Sequence, residues 1–348
     1  MTVLAGQKIL LIGIGFYDYE AAIAASFRAL GAEVRVEDER PPEMRGRTAV
    51  LYRRLNLDMT AARARHHAAM LERVLADGAL DHVVVIKGTL LDESFLAAVR
   101  DAQPHARFIA YHWDSMARFP ELIQRQSLFD RVLTFDHVDA ATHPEFILRP
   151  LFFRPELIRV EAADGSGGDI CFVGWLHHQR LAQVERIRAQ AEGLGLSGSY
   201  YLSTGAATRI RLWLAGRGRD VHARPMPFAA YAEAVARANS ILDLPHPQQT
   251  GLTMRAIEAI GAGRKLVTTA RDVAKYDFYR PENVSIIDAE TPHLNPDFLT
   301  SPGVALPPEL VERYSLRAWC LDVLGISEPG EFVRVQPDGR DDLIGTYA

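Results

Sequence analysis

Between Leu242 and Thr269 the chain reads LDLPHPQQTGLTMRAIEAIGAGRKLVTT: an apolar run, a polar loop, a short helical stretch and a second apolar run. A junction of this kind suits phosphates, because the first N–H groups of a helix have no partner within it and lie at its positive dipole end. Gln249, Thr250, Gly251, Leu252 and Thr253 are therefore candidate diphosphate ligands, through backbone N–H groups and hydroxyls. In this reading Gly251 opens the helix, and Gly261 and Gly263 close it. Glu258 stands about one and a half turns into the helix, where a carboxylate can reach back to ribose hydroxyls. Arg255 shares its face and joins the donor-binding set, a surface ion pair with Glu258 being the plainer alternative. Arg180 is a further candidate, since a guanidinium forks onto phosphate oxygens.

A second group could move protons. Tyr111-His112-Trp113-Asp114-Ser115 ends an apolar run, and crevices of open α/β sheets lie at such carboxyl ends. Taking a proton from an acceptor hydroxyl needs a carboxylate or an imidazole. Asp114 is the first candidate, with Asp18 and His112 behind it; capping a helix over SMARFPEL is the alternative role for Asp114. Gly13-Ile-Gly15 follows the first apolar run, but Asp18 stands where a dinucleotide fingerprint has its third glycine. Asp136 and Asp139 form a DxxD, and His66-His67 and His177-His178 lack further ligands at metal-binding spacing, so no metal is expected.

The elements that would position these groups alternate regularly. KILLIGI, HVVVIKG, ARFIAYHWD, RVLTFD and EFILRPLF read as strands, AEVRVED as an edge strand, and Tyr19–Leu30, Thr60–Asp77 and Asp92–Ala102 as helices. After EAADGSGG (Glu161–Gly168), the plainest linker, the alternation restarts with DICFVGW. It continues through SYYLST, DVHARP, SILDL, KLVTT and VSIID, with helices between. Repetition of strand and helix implies doubly wound parallel layers, here in two halves. Pro308–Leu324 reads as a further helix, and the tail beyond Pro329 as surface chain.

At 348 residues the chain suits two domains, and a formal charge of −5 argues against nucleic acid as a partner. Cys171 and Cys320 are too few for a disulfide framework and are expected as buried thiols in a reducing, cytoplasmic setting. The N-terminal apolar run is a strand rather than a leader, and no run reaches the ~20 apolar residues of a membrane span. Contact with a membrane would be peripheral, at the inner face.

The order QTGLTMR…E…G.G.KLVTT resembles the donor-binding segment of GT-B glycosyltransferases, in particular bacterial lipopolysaccharide and capsule enzymes of the CgeB-like, family 1/4-like group. FVGW with Gly174 and Arg180 is similar to the first strand and loop of their donor domain. The resemblance implies an α/β GT-B fold, two Rossmann-like domains facing a central cleft. Residues 1–160 would bind the acceptor, 169–307 the nucleotide-sugar donor, and 308–348 would form a crossover helix and tail. It further implies transfer of a sugar from a nucleotide-diphosphate sugar to a sugar, a lipid-linked glycan or another hydroxyl acceptor, in surface polysaccharide biosynthesis. No cofactor beyond that co-substrate is implied, and positive helix ends with Arg would stabilise the leaving diphosphate. Many such enzymes carry two glutamates in this segment; Glu258 matches the second, and Thr250 stands at the place of the first. Nucleotide recognition therefore carries over, while the stereochemical course does not. A nucleotide-sugar epimerase of the same fold and a non-catalytic nucleotide-sugar binding protein are the alternatives.

Overall fold

The computed structural model describes residues 2–15, 18–46, 48–49, 55, 57–158, 167–177, 179–246 and 249–333. Most of the expected linker (161–166), His178 and the tail from residue 334 lie outside them. Strands β1 (Lys8–Gly13), β2 (Glu33–Asp38), β3 (His82–Ile86), β4 (Arg107–His112), β5 (Arg131–Thr134) and β6 (Phe146–Leu148) form one sheet. A second contains β7 (Ile170–Trp175), β8 (Gly198–Ser203), β9 (Val221–His222), β10 (Ser240–Asp243), β11 (Lys265–Thr268) and β12 (Val284–Ile286). Every strand pairing is parallel. Continuous apolar runs occupy the middle: β3 is buried at every position, because helices cover both of its faces. The alternating run EVRVED is β2, at the edge.

The strand orders are β2-β1-β3-β4-β5-β6 and β12-β11-β10-β7-β8-β9. Each reverses direction once, at β1/β3 in the first sheet and β7/β10 in the second. Loops leaving a parallel sheet at its reversal diverge, and the crevice between them is where open α/β sheets bind ligands.

One apolar cluster joins the halves, with Phe27, Tyr111 and Phe152 from the first, Ile257 and Leu266 from the second, and Trp319 and Val323 from the helix Leu316–Leu324. Trp319 meets the Tyr111 ring edge-on at 4.8 Å, and buried Arg149 places Nε 2.7 Å from Asp322 of that helix. The expected single helix Pro308–Leu324 is instead two, Pro308–Glu312 and Leu316–Leu324. Ser315 breaks the run and caps the second by accepting from the Ala318 N–H at 3.0 Å. Cys171 and Cys320 are free and buried, and burial pushes both thiols up to about 12.

Candidate active site

The chain leaving β1 and β5 meets the segment that follows β10. The helix of that segment runs Met254–Gly261 and is capped by Thr253, whose hydroxyl accepts from the Ala256 N–H at 3.3 Å. Gly263, at φ 62°, turns the chain out of it into β11. Gly251 therefore precedes the helix and does not open it. A Cβ there would stand 2.6 Å from the Phe135 ring and 2.9 Å from its carbonyl oxygen, so the close approach to the end of β5 requires glycine.

The candidate donor ligands are largely engaged by the protein itself. The Thr250 N–H donates to Asp136 Oδ2 at 3.2 Å and its hydroxyl donates to Oδ1. Asp136, fully buried, also caps the helix His137–Thr142. The DxxD is thus a cap that clamps the second half to the first, with Asp139 accepting from the Met116 N–H at 2.8 Å. The Thr253 hydroxyl donates to Asp243 Oδ1 at 2.7 Å, and the Arg255 Nε donates to the same oxygen at 3.3 Å. Arg255 also donates to the Val173 carbonyl at 3.1 Å, beside Gly174. The alternative of a surface pair with Glu258 gives way to this buried one with Asp243. Leu252 is core, 1% exposed, and contributes no side-chain polarity.

Glu258 is 1% exposed and lies on the seam between the halves. Tyr19, at the start of the helix Tyr19–Ala29, donates its hydroxyl to Oε1 at 3.2 Å, and Tyr231 donates to Oε2 at 2.7 Å. Burial raises the Glu258 carboxyl above its ordinary value, against the two tyrosine hydrogen bonds and the nearby Arg255 and Arg154. Both Glu258 oxygens are thus held by tyrosines.

At the reversal of the second sheet, Arg180 is 7% exposed and donates to the Trp175 carbonyl at 2.9 Å and to the Leu244 carbonyl at 2.5 Å. The guanidinium fixes the loops that leave β7 and β10, which corrects its expected role as a phosphate ligand. Those loops hold His177 and His246 part-exposed, their rings 6.0 Å apart, and Trp175 at 41% exposure. Gln249 braces the next turn, its amide donating to the Gly251 carbonyl at 2.9 Å.

The first half sorts its proton-moving candidates. His112 is 3% exposed, its Nε2 2.9 Å from the Gln126 amide, and burial lowers it to about 4. Buried, with Nε2 engaged by Gln126 and its proton affinity lowered, it is a weak and inaccessible proton acceptor, which disfavours it as the base. Asp114 is ion-paired on both oxygens, to Lys87 at 2.6 Å and Arg118 at 2.5 Å. No helix starts after it, since the next begins at Pro120, so its capping alternative fails too. Asp18 is exposed, in the left-handed region at φ 59°, and makes no side-chain cap to the helix it precedes. Glu20 occupies the glycine loop: its carboxylate accepts from the Ile14 N–H at 3.1 Å, and a Cβ on Gly13 would stand 2.6 Å from its side chain. A carboxylate there repels a pyrophosphate, which disfavours the dinucleotide reading. Behind these groups Glu39 is fully buried at the end of β2, and burial raises it to about 7.

Tyr19, Tyr231, Asp243 and Glu39 were not singled out in the sequence. Asp243 carried one signal, a carboxylate at the carboxyl end of a short apolar strand. The two tyrosines carried none, because Tyr19 lies 239 residues from Glu258.

No family model and no curated protein sequence matches the chain. Among solved structures, an α-glucosyltransferase in complex with UDP and a 13-mer DNA containing a central A:G mismatch is similar over 92% of this chain and 95% of its own, with a TM-score of 0.51 and 12% identity. The UDP-GlcNAc 2-epimerase of Methanocaldococcus jannaschii is similar over 92% of this chain and 99% of its own, with a TM-score of 0.50 and 13% identity. At such identities the likeness speaks for the fold, and the fold is α/β GT-B, two doubly wound parallel sheets whose loops meet across a seam.

Proposed function

We propose that this chain is a GT-B glycosyltransferase that moves a sugar from a nucleotide-diphosphate sugar to a hydroxyl acceptor in bacterial surface glycan biosynthesis. One observation carries the reading: loops from the carboxyl ends of both sheets converge on a single seam, beside the reversal of the second sheet. The diphosphate would lie at that reversal, beside His177 and His246, near the N-terminus of the helix Met254–Gly261. Its charge as leaving group would be stabilised by the imidazoles and the helix end, which act where charge develops. The ribose would take Glu258 from Tyr19, exchanging one hydroxyl for another. Asp18 becomes the preferred base, because its carboxylate is exposed and makes no cap, while Asp114 positions Lys87 and Arg118.

An epimerase acting on the same donor is the second reading, since the two relatives above, one of each class, share this fold to the same degree. Product analysis separates them. Nucleoside diphosphate released only when an acceptor is present supports transfer; an epimerised sugar formed without acceptor supports the alternative. Nucleotide binding with no turnover under any acceptor would leave a binding protein.

A further inference from the structure

The helix Ala206–Leu214, AATRIRLWL, joins β8 to β9 at the outer edge of the second sheet and has no buried residue. Thr208 and Leu212 turn inward and are half-buried, Leu212 against the apolar cluster beneath the helix. The opposite face is apolar too. Positions 206, 207, 210, 213 and 214 fall on one stripe at helical spacing. It carries Ile210 at 56%, Trp213 at 68% and Leu214 at 73% exposure, the last two being the most exposed large apolar side chains among the described residues. A surface helix normally shows solvent its polar face, so a second apolar stripe needs a partner.

Charge identifies the partner. From Tyr200 to Arg219 there are four arginines and no Asp or Glu, in a chain whose net charge is −5. Arg217 pairs with Glu185, and Arg219 with Glu192 and Asp220. Arg209 and Arg211 have no carboxylate partner among the described residues, and they flank the stripe on either side; Arg209 donates to the Val221 carbonyl at 3.2 Å. Apolar residues with an interfacial Trp, bordered by arginines whose stems can lie along the apolar surface, match an acyl layer under anionic headgroups. No described helix is long and apolar enough to cross a membrane, so the helix would lie in the interface.

We propose that Ala206–Leu214 docks this protein onto an anionic lipid surface. The helix, capped by Gly205, follows the carboxyl end of β8, on the side of the second sheet from which the β7 and β10 loops also leave. The proposal does not depend on the transfer reading, since lipid binding is measured without substrate.

The test is co-sedimentation of the full chain with vesicles of phosphatidylcholine, alone or with a quarter phosphatidylglycerol. The wild type should pellet with the anionic vesicles, remain in solution with the neutral ones, and be released at high salt. Trp213→Ser with Leu214→Ser should abolish pelleting with the thermal midpoint unchanged. Arg211→Glu should lower partitioning by about 25-fold, about fivefold for each of two charge changes. A wild type that stays in solution with anionic vesicles, or an Arg211→Glu variant that binds like it, would overturn the proposal. So would a wild-type dimer that the double serine variant dissolves, which would assign the stripe to a second copy.

Discussion

Tyr19→Phe removes one hydroxyl and tests whether Glu258 is shared between the two halves and a ligand. The deleted bond spans the seam, from Tyr19 Oη to Glu258 Oε1 at 3.2 Å, where Glu258 is 1% exposed. Leaving one oxygen of a buried carboxylate unsatisfied costs ~1–3 kcal/mol, and denaturant unfolding should register that loss. If ribose and Tyr19 compete for the same oxygen, the variant binds nucleotide more tightly, by up to about tenfold for ~1.4 kcal/mol of removed competition. Stability and affinity then move in opposite directions, which a merely structural contact does not produce. Glu258→Gln keeps an acceptor for the tyrosines and should retain most of the stability, while Glu258→Ala should weaken nucleotide binding. Calorimetry on Tyr19→Phe decides the point. Unchanged stability would mean that the seam bond is not made in solution, and weaker nucleotide binding would mean that Tyr19 supports the ligand rather than excluding it.

Glu39 moves from 4.5 to about 7 on folding, so its contribution is complete below pH 4.5 and is lost as pH rises through 7, by ~3 kcal/mol at most. Glu39→Gln should therefore be more stable than wild type at pH 8, the gap closing toward pH 4.5; parallel stability–pH curves would refute the burial argument. Gly251→Ala drives a Cβ to 2.6 Å from the Phe135 ring and should cost ~1–3 kcal/mol by overpacking the seam. An unaltered melting temperature would show that the loop does not pack there. Asp18→Asn should lower kcat by ~100-fold or more with nucleotide affinity unchanged; a larger loss in Asp114→Asn would return the base role to Asp114.

The two parallel sheets were legible because buried strands such as HVVVI leave unbroken apolar runs and edge strands such as EVRVED alternate. The donor segment was legible as loop, helix and strand, and Glu258 was found within it. What the sequence concealed were the partners. A carboxylate on a helix looks the same whether it meets ribose or a tyrosine from the other half, and Tyr19 is separated from it by most of the chain. Arg180 read as a phosphate ligand because guanidinium chemistry suits phosphate; it suits two strand-end carbonyls equally well, and only the reversal between β7 and β10 brings those together. Gly251 was recognised as necessary for the wrong reason, a helix start instead of contact with Phe135. His112 failed because period-2 patterning does not tell which end of a strand is walled off by a neighbour such as Gln126.

The reversal of the second sheet should bind a nucleoside diphosphate, and a thermal-shift series with UDP, GDP, dTDP, ADP and CMP measures that binding. One diphosphate should raise the melting temperature by about 3–5 °C at 100 times its Kd, from ~2.7 kcal/mol of linkage. His177→Ala with His246→Ala should remove that shift. No shift with any of the five nucleotides, or an undiminished shift in the double alanine variant, would contradict it.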